Sequence, residues 1–206
     1  MKDALATCWT VCFAQRQATI TGTDGRLTLA LDRGERQRLV VSDAAAADAL
    51  VATLAECPET GLLPADGGLP GGLTVAENLS LALAWDATFS PQSFDILLLQ
   101  AFAWCGFGQD RLGQLGRRRL LELSPAERWR IGLLRFLVRP PELLVFDRLA
   151  AACSLAEAKT MAEGIALYHA VHPFRSSLRI DLAGERRETV FAEGAYFADP
   201  GVSCPS

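Results

Sequence analysis

The run from Leu121 to Arg148 constrains the fold more than any other part of the sequence, because it joins a capped helix to a buried strand. Ser124-Pro125-Ala126-Glu127 is a capping box with proline at the first helical position, so a helix is predicted to begin at Pro125. Pro140-Pro141 ends that helix. The apolar run Leu143 to Phe146 then suits a strand buried on both faces of a parallel sheet. The stretch therefore predicts an α/β fold.

The same stretch resembles the core of an ABC-transporter ATPase, in which an LSGGQ signature opens a helix that leads to a Walker B strand. Leu123-Ser124 stands where the signature begins, and Pro141 to Asp147 reads as the Walker B run. The chain departs from the family in both motifs. The two signature glycines are replaced by Pro125 and Ala126, and the signature glutamine by Glu127. The glutamate after Walker B is replaced by Arg148. The resemblance implies a degenerate ATPase subunit. Without it, a helix followed by a strand is common to any α/β protein.

The segment before this core is predicted to form an antiparallel hairpin and the first central strand. Leu5 to Thr21 is rich in strand formers, and Leu27 to Leu31 alternates apolar and polar residues after a turn at Asp24-Gly25. A second turn at Arg33-Gly34-Glu35 precedes the predicted strand Gln37 to Val41. In the family such a strand feeds the phosphate loop.

The position of that phosphate loop, the Walker A motif, carries none of the residues that bind a nucleotide. The two glycines are replaced by Val41 and Ala46, the lysine by Ala47 and the magnesium-binding hydroxyl by Asp48. Alanine favours helix, so we expect a helix to begin here from a Ser42 or Asp43 cap. No cofactor or metal is expected, and hydrolysis of ATP at this site is not expected.

A second capping box, Thr74 to Glu77, lies within Leu73-Thr74-Val75-Ala76-Glu77-Asn78. This segment resembles the one that follows the magnesium-sensing glutamine in importers and in lipid-transport (Mla/MCE-like) ATPases. In this chain Ala65 occupies the position of that glutamine. The resemblance implies a helical subdomain over about residues 75–122, with a groove for the coupling helix of a permease. Phe94 to Phe107 is expected to be buried on several sides. The aromatic residues of the subdomain are either core or partner contacts: Trp85, Phe89, Phe94, Phe102, Trp104 and Phe107.

Beyond Asp147, the segment Leu149 to Ser154 takes the place of the family's D-loop, and a helix is predicted from Leu155 to about His169. His169 and His172 do not match the family's γ-phosphate histidine, and they are read either as surface or core residues or as a catalytic or metal pair. Leu178 to Leu182 and Thr189 to Phe191 resemble the terminal β-hairpin of the family. The tail of about residues 198–206 is predicted to be flexible.

Composition excludes several classes of protein. The formal charge is −4 and there are only two lysines, so a nucleic-acid interface is not expected; the run Arg117-Arg118-Arg119 is read as a solvated face. No apolar segment approaches membrane-spanning length and no signal peptide is recognisable, so we expect a cytoplasmic protein. The six cysteines are too scattered for a zinc site and are expected to be reduced.

These observations predict a single, shortened, ABC-ATPase-like domain over residues 1–206, with an α/β central sheet, an N-terminal antiparallel β-hairpin and a helical subdomain. The expected function is that of a catalytically inactive subunit with a structural or regulatory role at the inner face of the cell membrane, where it docks on a permease, pairs with an intact ATPase subunit, or does both. In such a pair Ser124 could contact the nucleotide of the partner. The alternative is a soluble enzyme or ligand-binding protein with a site near His169, His172 and Asp147.

Overall fold

The computed structural model describes residues 9–14, 17–22, 28–84, 91–107, 109–149 and 153–183. Its first sheet is antiparallel and holds β1 (Trp9–Ala14), β2 (Gln17–Gly22) and β3 (Thr28–Leu31) in that order. Buried side chains alternate with partly buried ones in β2 and with exposed ones in β3, which shows that this sheet covers the core with one face. The predicted antiparallel β flank is confirmed.

The second sheet is parallel and consists of β4 (Arg36–Val41), β5 (Thr60–Pro64), β6 (Leu143–Asp147) and β7 (Ser176–Leu182). Its strand order is β4-β7-β6-β5, so consecutive strands are joined by crossovers through helices. All five residues of β6 are buried, as the apolar run in the sequence predicts. The two sheets and their helices make up a mixed α/β fold.

Six α-helices connect and cover the sheets within the described ranges. They are α1 (Ala44–Ala55), α2 (Val75–Ala84), α3 (Pro91–Trp104), α4 (Gln109–Gly116), α5 (Pro125–Val138) and α6 (Leu155–Val171), with a short 3-10 helix at Leu120–Glu122. Asp43, Thr74 and Ser124 each accept a hydrogen bond from the backbone three residues on, so the predicted helix starts are confirmed. The helical segments between residues 75 and 122 lie where the sequence places the helical subdomain.

Helix α1 lies between the two sheets. Its buried residues Ala47, Leu50 and Leu54 join one core cluster with side chains from the antiparallel sheet and from one face of the parallel sheet. The indole N–H of Trp9 on β1 donates to the carbonyl of Ala46, which ties the antiparallel sheet to α1. The other face of the parallel sheet supplies Leu144 to a second cluster with α5, α6 and the helical region.

The sequence interpretation was wrong about two strands. Leu178 to Leu182 does not belong to a terminal hairpin: it lies in β7, an interior strand that pairs in parallel with both β4 and β6. The charged side chains of this strand, Arg179 and Asp181, are buried and paired with one another. The prolines and glycines from Glu56 to Gly72 predict mostly loop, with Leu62-Leu63 as a strand remnant, whereas these two residues belong to the full strand β5. Parallel pairing with β6 stabilises this segment as a strand, although proline and glycine residues lie nearby.

The prediction that Phe94 to Phe107 is buried on several sides was also wrong. Phe102 and Phe107 are buried, but Ile96 is 59% exposed and Trp104 is 43% exposed. Helix α3 packs on α4 and α5 and leaves an apolar stripe at the surface. Several predictions concern residues outside the described ranges: the turn at Asp24-Gly25, the aromatic residues Trp85 and Phe89, the side chain of Phe94, most of Leu149 to Ser154, Thr189 to Phe191, and the tail at 198–206.

Candidate functional site

The candidate site lies at the carboxyl edge of the parallel sheet, where β4 meets α1. Only Ser42 and Asp43 separate the end of the strand from the first residue of the helix. Asp43 caps α1: its carboxylate accepts from Ala46 N at 2.8 Å and from the Ser42 hydroxyl at 3.0 Å. The hydrogen bond from Ala46, followed by that from Ser42, lowers the pKa of Asp43. The helix terminus that would face a phosphate is therefore capped by a carboxylate of its own chain.

Arg148, the residue after Asp147 at the end of β6, joins this helix to the sheet. Its guanidinium donates to Asp147 through Nε at 2.7 Å and Nη2 at 3.0 Å, and to Asp48 of α1 through Nη1 at 2.6 Å. The hydrogen bonds to Asp147 are the main cause that raises the pKa of Arg148, against the effect of burial. Arg148 has a positive φ of 46°, and its N–H donates to the Ile180 carbonyl at 2.9 Å. The bridge is thus built on a backbone conformation that non-glycine residues seldom adopt.

A magnesium nucleotide does not fit these residues. The cradle for its phosphates needs a glycine-rich loop of free N–H groups, and here the strand reaches the helix in two residues, one of which caps that helix. Asp48 and Asp147, which the resemblance to the family places at the magnesium-binding hydroxyl and at the end of the Walker B run, are both bound to Arg148. Among the described residues, no group of three metal-ligating side chains comes together.

Ser124 lies at the start of α5 and is exposed. Its hydroxyl accepts from Glu127 N at 3.3 Å and donates to the Glu127 carboxylate at 3.0 Å, and its own N–H donates to the same carboxylate at 2.9 Å. Pro125 has no N–H to offer. A carboxylate of the chain therefore already occupies part of the helix terminus that would contact a partner's phosphate.

The alternative site near His169, His172 and Asp147 is not assembled in the structure. His169 Nε2 lies 2.8 Å from the hydroxyl of Ser177, near the start of β7, whereas Asp147 is level with Ile180, three residues further along the strand. At about 3.3 Å per residue, the histidine contact and Asp147 lie roughly 10 Å apart along the strand. His172 Nε2 donates to the Leu137 carbonyl at 2.9 Å. His169 is thus bound near the amino end of β7, away from Asp147, and His172 is bound to the last turn of α5.

Burial also governs the protonation of these histidines. Burial, followed by the positive charge of Arg36, lowers the pKa of His169 to about 3. It also lowers the pKa of His172, partly offset by the hydrogen bond to Leu137. Both rings are therefore neutral at physiological pH, and their packing is that of core residues.

Sequence reasoning missed a charge network buried within the parallel sheet. Asp181 on β7 is fully buried and binds Arg38 Nε at 2.6 Å and Arg179 Nε at 3.0 Å. Arg38 on β4 and Arg179 on β7 are directly paired in register. The two-residue spacing of Arg179 and Asp181 places them on one face of a strand, which is a sequence pattern that could have indicated a paired charge.

A cleft of about 490 Å³ lies between β5, α2 and α5. Its walls combine apolar side chains with two arginines: Leu62, Pro70, Leu81, Phe136, Arg135 and Arg139. Arg135 donates to the carbonyls of Gly67 and Gly68 and so fixes the loop after β5, which contains the Ala65 position. No helix in the part of the chain that the structure describes is long and apolar enough to cross a membrane.

Neither a protein-family model nor a curated protein matches this sequence. Solved structures do match its fold. One is CbiO1 of Clostridium perfringens, described as part of the ABC transporter complex CbiONQ: the TM-score is 0.61 and the identity 12%, over 78% of this chain and 74% of that one. Another is a metal-chelate type ABC transporter in an inward-facing conformation, with a TM-score of 0.59 and 14% identity over 85% of this chain and 73% of the other.

The chain has the ABC-ATPase fold. The antiparallel sheet, the parallel sheet and the helices described above are the parts that this fold combines, here in 206 residues. Within it, Asp147 ends β6, Asp48 lies on α1, and Arg148 binds both carboxylates. The fold is therefore retained around a site whose side chains bind one another.

Proposed function

We propose that this chain is a catalytically inactive ABC-ATPase-like subunit with a structural or regulatory role in a membrane transport complex. The observation that carries the proposal is the bridge from Arg148 to Asp48 and Asp147, next to a two-residue connection in place of the phosphate loop. Such a subunit would lie at the cytoplasmic face of the membrane, held there by its partners. The Leu73 to Asn78 segment favours an importer or a lipid-transport system.

The first partner we propose is the permease of that complex, docked at the cleft between β5, α2 and α5. The cleft supports this because it offers apolar surface from Leu62, Leu81 and Phe136 within a rim that carries Arg139. Large apolar side chains that pack into a concave apolar surface are the usual anchors of an interface. We therefore propose that a short amphipathic helix of the permease docks at this cleft.

Purification of the full chain from native membranes tests this docking. We expect mass spectrometry to identify a permease that co-purifies with the wild type. The same permease should co-purify with Phe174→Glu, which alters an exposed ring outside the cleft. Leu81→Glu in the cleft is expected to lose it. A monodisperse soluble protein that retains no permease or ATPase subunit from its own membrane fraction would rule the proposal out.

The second proposed partner is an intact ATPase subunit, whose nucleotide would face Ser124. In such a pair Ser124 offers the terminus of α5, but Pro125 removes one donor and Glu127 brings a negative charge to the same place. We therefore expect weak or slow support of the partner's catalysis rather than full activity. Pro125→Gly, Ala126→Gly and Glu127→Gln together should increase the ATPase rate of the assembled complex. An unchanged rate in an intact complex would mean that this face never meets a nucleotide.

A further inference from the structure

We propose that the guanidinium of Arg148 is a built-in cation, which takes the place of a bound divalent metal and holds α1 against the end of β6. The proposal rests on the proposed loss of nucleotide binding at this site and extends it. In this proposal the site has not only lost its nucleotide-binding residues. The positive charge of Arg148 occupies the position of the metal ion, so that the contact between α1 and β6 needs no ligand.

The first step is the position of the two carboxylates. In P-loop proteins a side chain at the start of the helix after the phosphate loop and the aspartate that ends the Walker B strand bind the metal together. Asp48 and Asp147 stand at those two places in this chain, one on α1 and one on β6. They are 99 positions apart in the sequence, and one guanidinium reaches both at 2.6 and 2.7 Å.

The second step is electrostatic. Asp147 is buried, with 10% of its side chain exposed, and a buried carboxylate needs a compensating charge. Arg148 provides that charge through two hydrogen bonds to Asp147 and uses a third donor for Asp48. Without Arg148, two carboxylates would converge with no cation between them, which is an arrangement that favours a divalent metal ion.

The third step is that the backbone is shaped for this contact. Arg148 adopts a φ of 46°, a left-handed backbone conformation that non-glycine residues seldom adopt. The hydrogen bond from Arg148 N to the Ile180 carbonyl holds that turn on β7. An ordinary surface ion pair requires no such turn, since flexible side chains form it from relaxed backbone.

Titration with Mn²⁺ alone, followed by electron paramagnetic resonance, tests the proposal on the full chain. The wild type is expected to bind no Mn²⁺ at this site. Arg148→Gln keeps a polar N–H donor on a shorter side chain and removes the positive charge, so it should bind Mn²⁺ at this site with an affinity at least tenfold above any that the wild type shows. Arg148→Lys keeps the charge and should behave as the wild type does. Adding Asp48→Asn to Arg148→Gln should remove the gained binding, which separates this site from scattered surface carboxylates.

Thermal unfolding provides the second readout. Mn²⁺ should raise the Tm of Arg148→Gln and leave the Tm of the wild type unchanged, since only the variant offers the ion two unpaired carboxylates. The proposal is overturned when the Gln and Lys variants, both folded by circular dichroism, bind Mn²⁺ equally or not at all. The Mn²⁺ titration contains no nucleotide, so its outcome does not depend on the proposed function. Failure of the proposed function would instead be shown by nucleotide binding to the wild type.

Discussion

Asp181 shows how single charges determine where a strand can lie in this protein. It is fully buried on β7, and its carboxylate binds both Arg38 and Arg179. A buried carboxylate is tolerated only where positive charge and hydrogen bonds replace water, and the two arginines supply both. The interior position of β7 in the parallel sheet therefore depends on partners from two strands.

His169 is a second buried polar residue, and it makes stability depend on pH. Burial lowers its pKa to about 3, whereas an unfolded chain protonates histidine near pH 6.5. Below that pH the unfolded state binds a proton that the folded state does not bind, so stability falls as the pH falls. We expect this histidine alone to lower the free energy of unfolding by about 1.4 kcal/mol between pH 7.5 and 5.5.

Denaturant unfolding at pH 7.5, 6.5 and 5.5 checks this expectation. His169→Gln should flatten the dependence on pH, and the matched variant His172→Gln should flatten it less, because His172 is only half-buried and donates to the Leu137 carbonyl. A His169→Gln protein that keeps the full pH dependence of the wild type would show that other groups cause it.

At the scale of elements, glycines allow α5 to approach its neighbours closely. A Cβ on Gly132 would lie 2.3 Å from the carbonyl oxygen of Gly67, in the loop after β5. Gly67 in turn has a φ of +89° and lies against the backbone of Arg128. The loop and the helix therefore touch through backbone atoms, which cannot move aside as the end of a side chain can.

Gly132→Ala is expected to destabilise the protein by about 1 to 3 kcal/mol, because overpacking must push the loop away from α5. That loss corresponds to a fall in Tm of roughly 2 to 4 °C per kcal/mol for a chain of this size. Gly113→Ala on α4 is the matched control: a Cβ there meets nothing within 4 Å. Because alanine favours helix, the control should leave stability unchanged or raise it by up to about 1 kcal/mol. Equal losses in both variants would contradict the close packing.

Local features of the elements were predictable from the sequence, and long-range pairing was not. The starts of α1, α2 and α5 follow from Asp43, Thr74 and Ser124, since a cap depends on residues within one turn. The place of β7 depends on Arg38, which is 143 residues from Asp181, and no local pattern shows that pairing. The sequence likewise indicated only a remnant of β5, because this strand forms by pairing with β6, which lies in a distant part of the chain.

At the scale of the whole molecule, the sequence predicted the fold more completely than it predicted the contacts within the candidate site. The order of the signature-like helix and the Walker B-like strand indicated the ABC-ATPase fold, and the structure shows that fold. The missing glycines and lysine indicated the loss of the phosphate loop and an early helix start, but the sequence did not reveal the bridge that Arg148 makes to Asp48 and Asp147. The contact of Arg148 with Asp48 appears only when the chain is folded, because α1 and β6 meet in space.

The central claim concerns the whole molecule: an ABC-ATPase fold is kept without a working nucleotide site of its own. Isothermal titration of the isolated protein with Mg-ATP, together with an assay of phosphate release, tests it most directly. We predict no heat of binding and no turnover, because Asp43 caps α1 and Arg148 binds both carboxylates. Binding in the micromolar range, or turnover that Asp147→Ala abolishes, would contradict the claim.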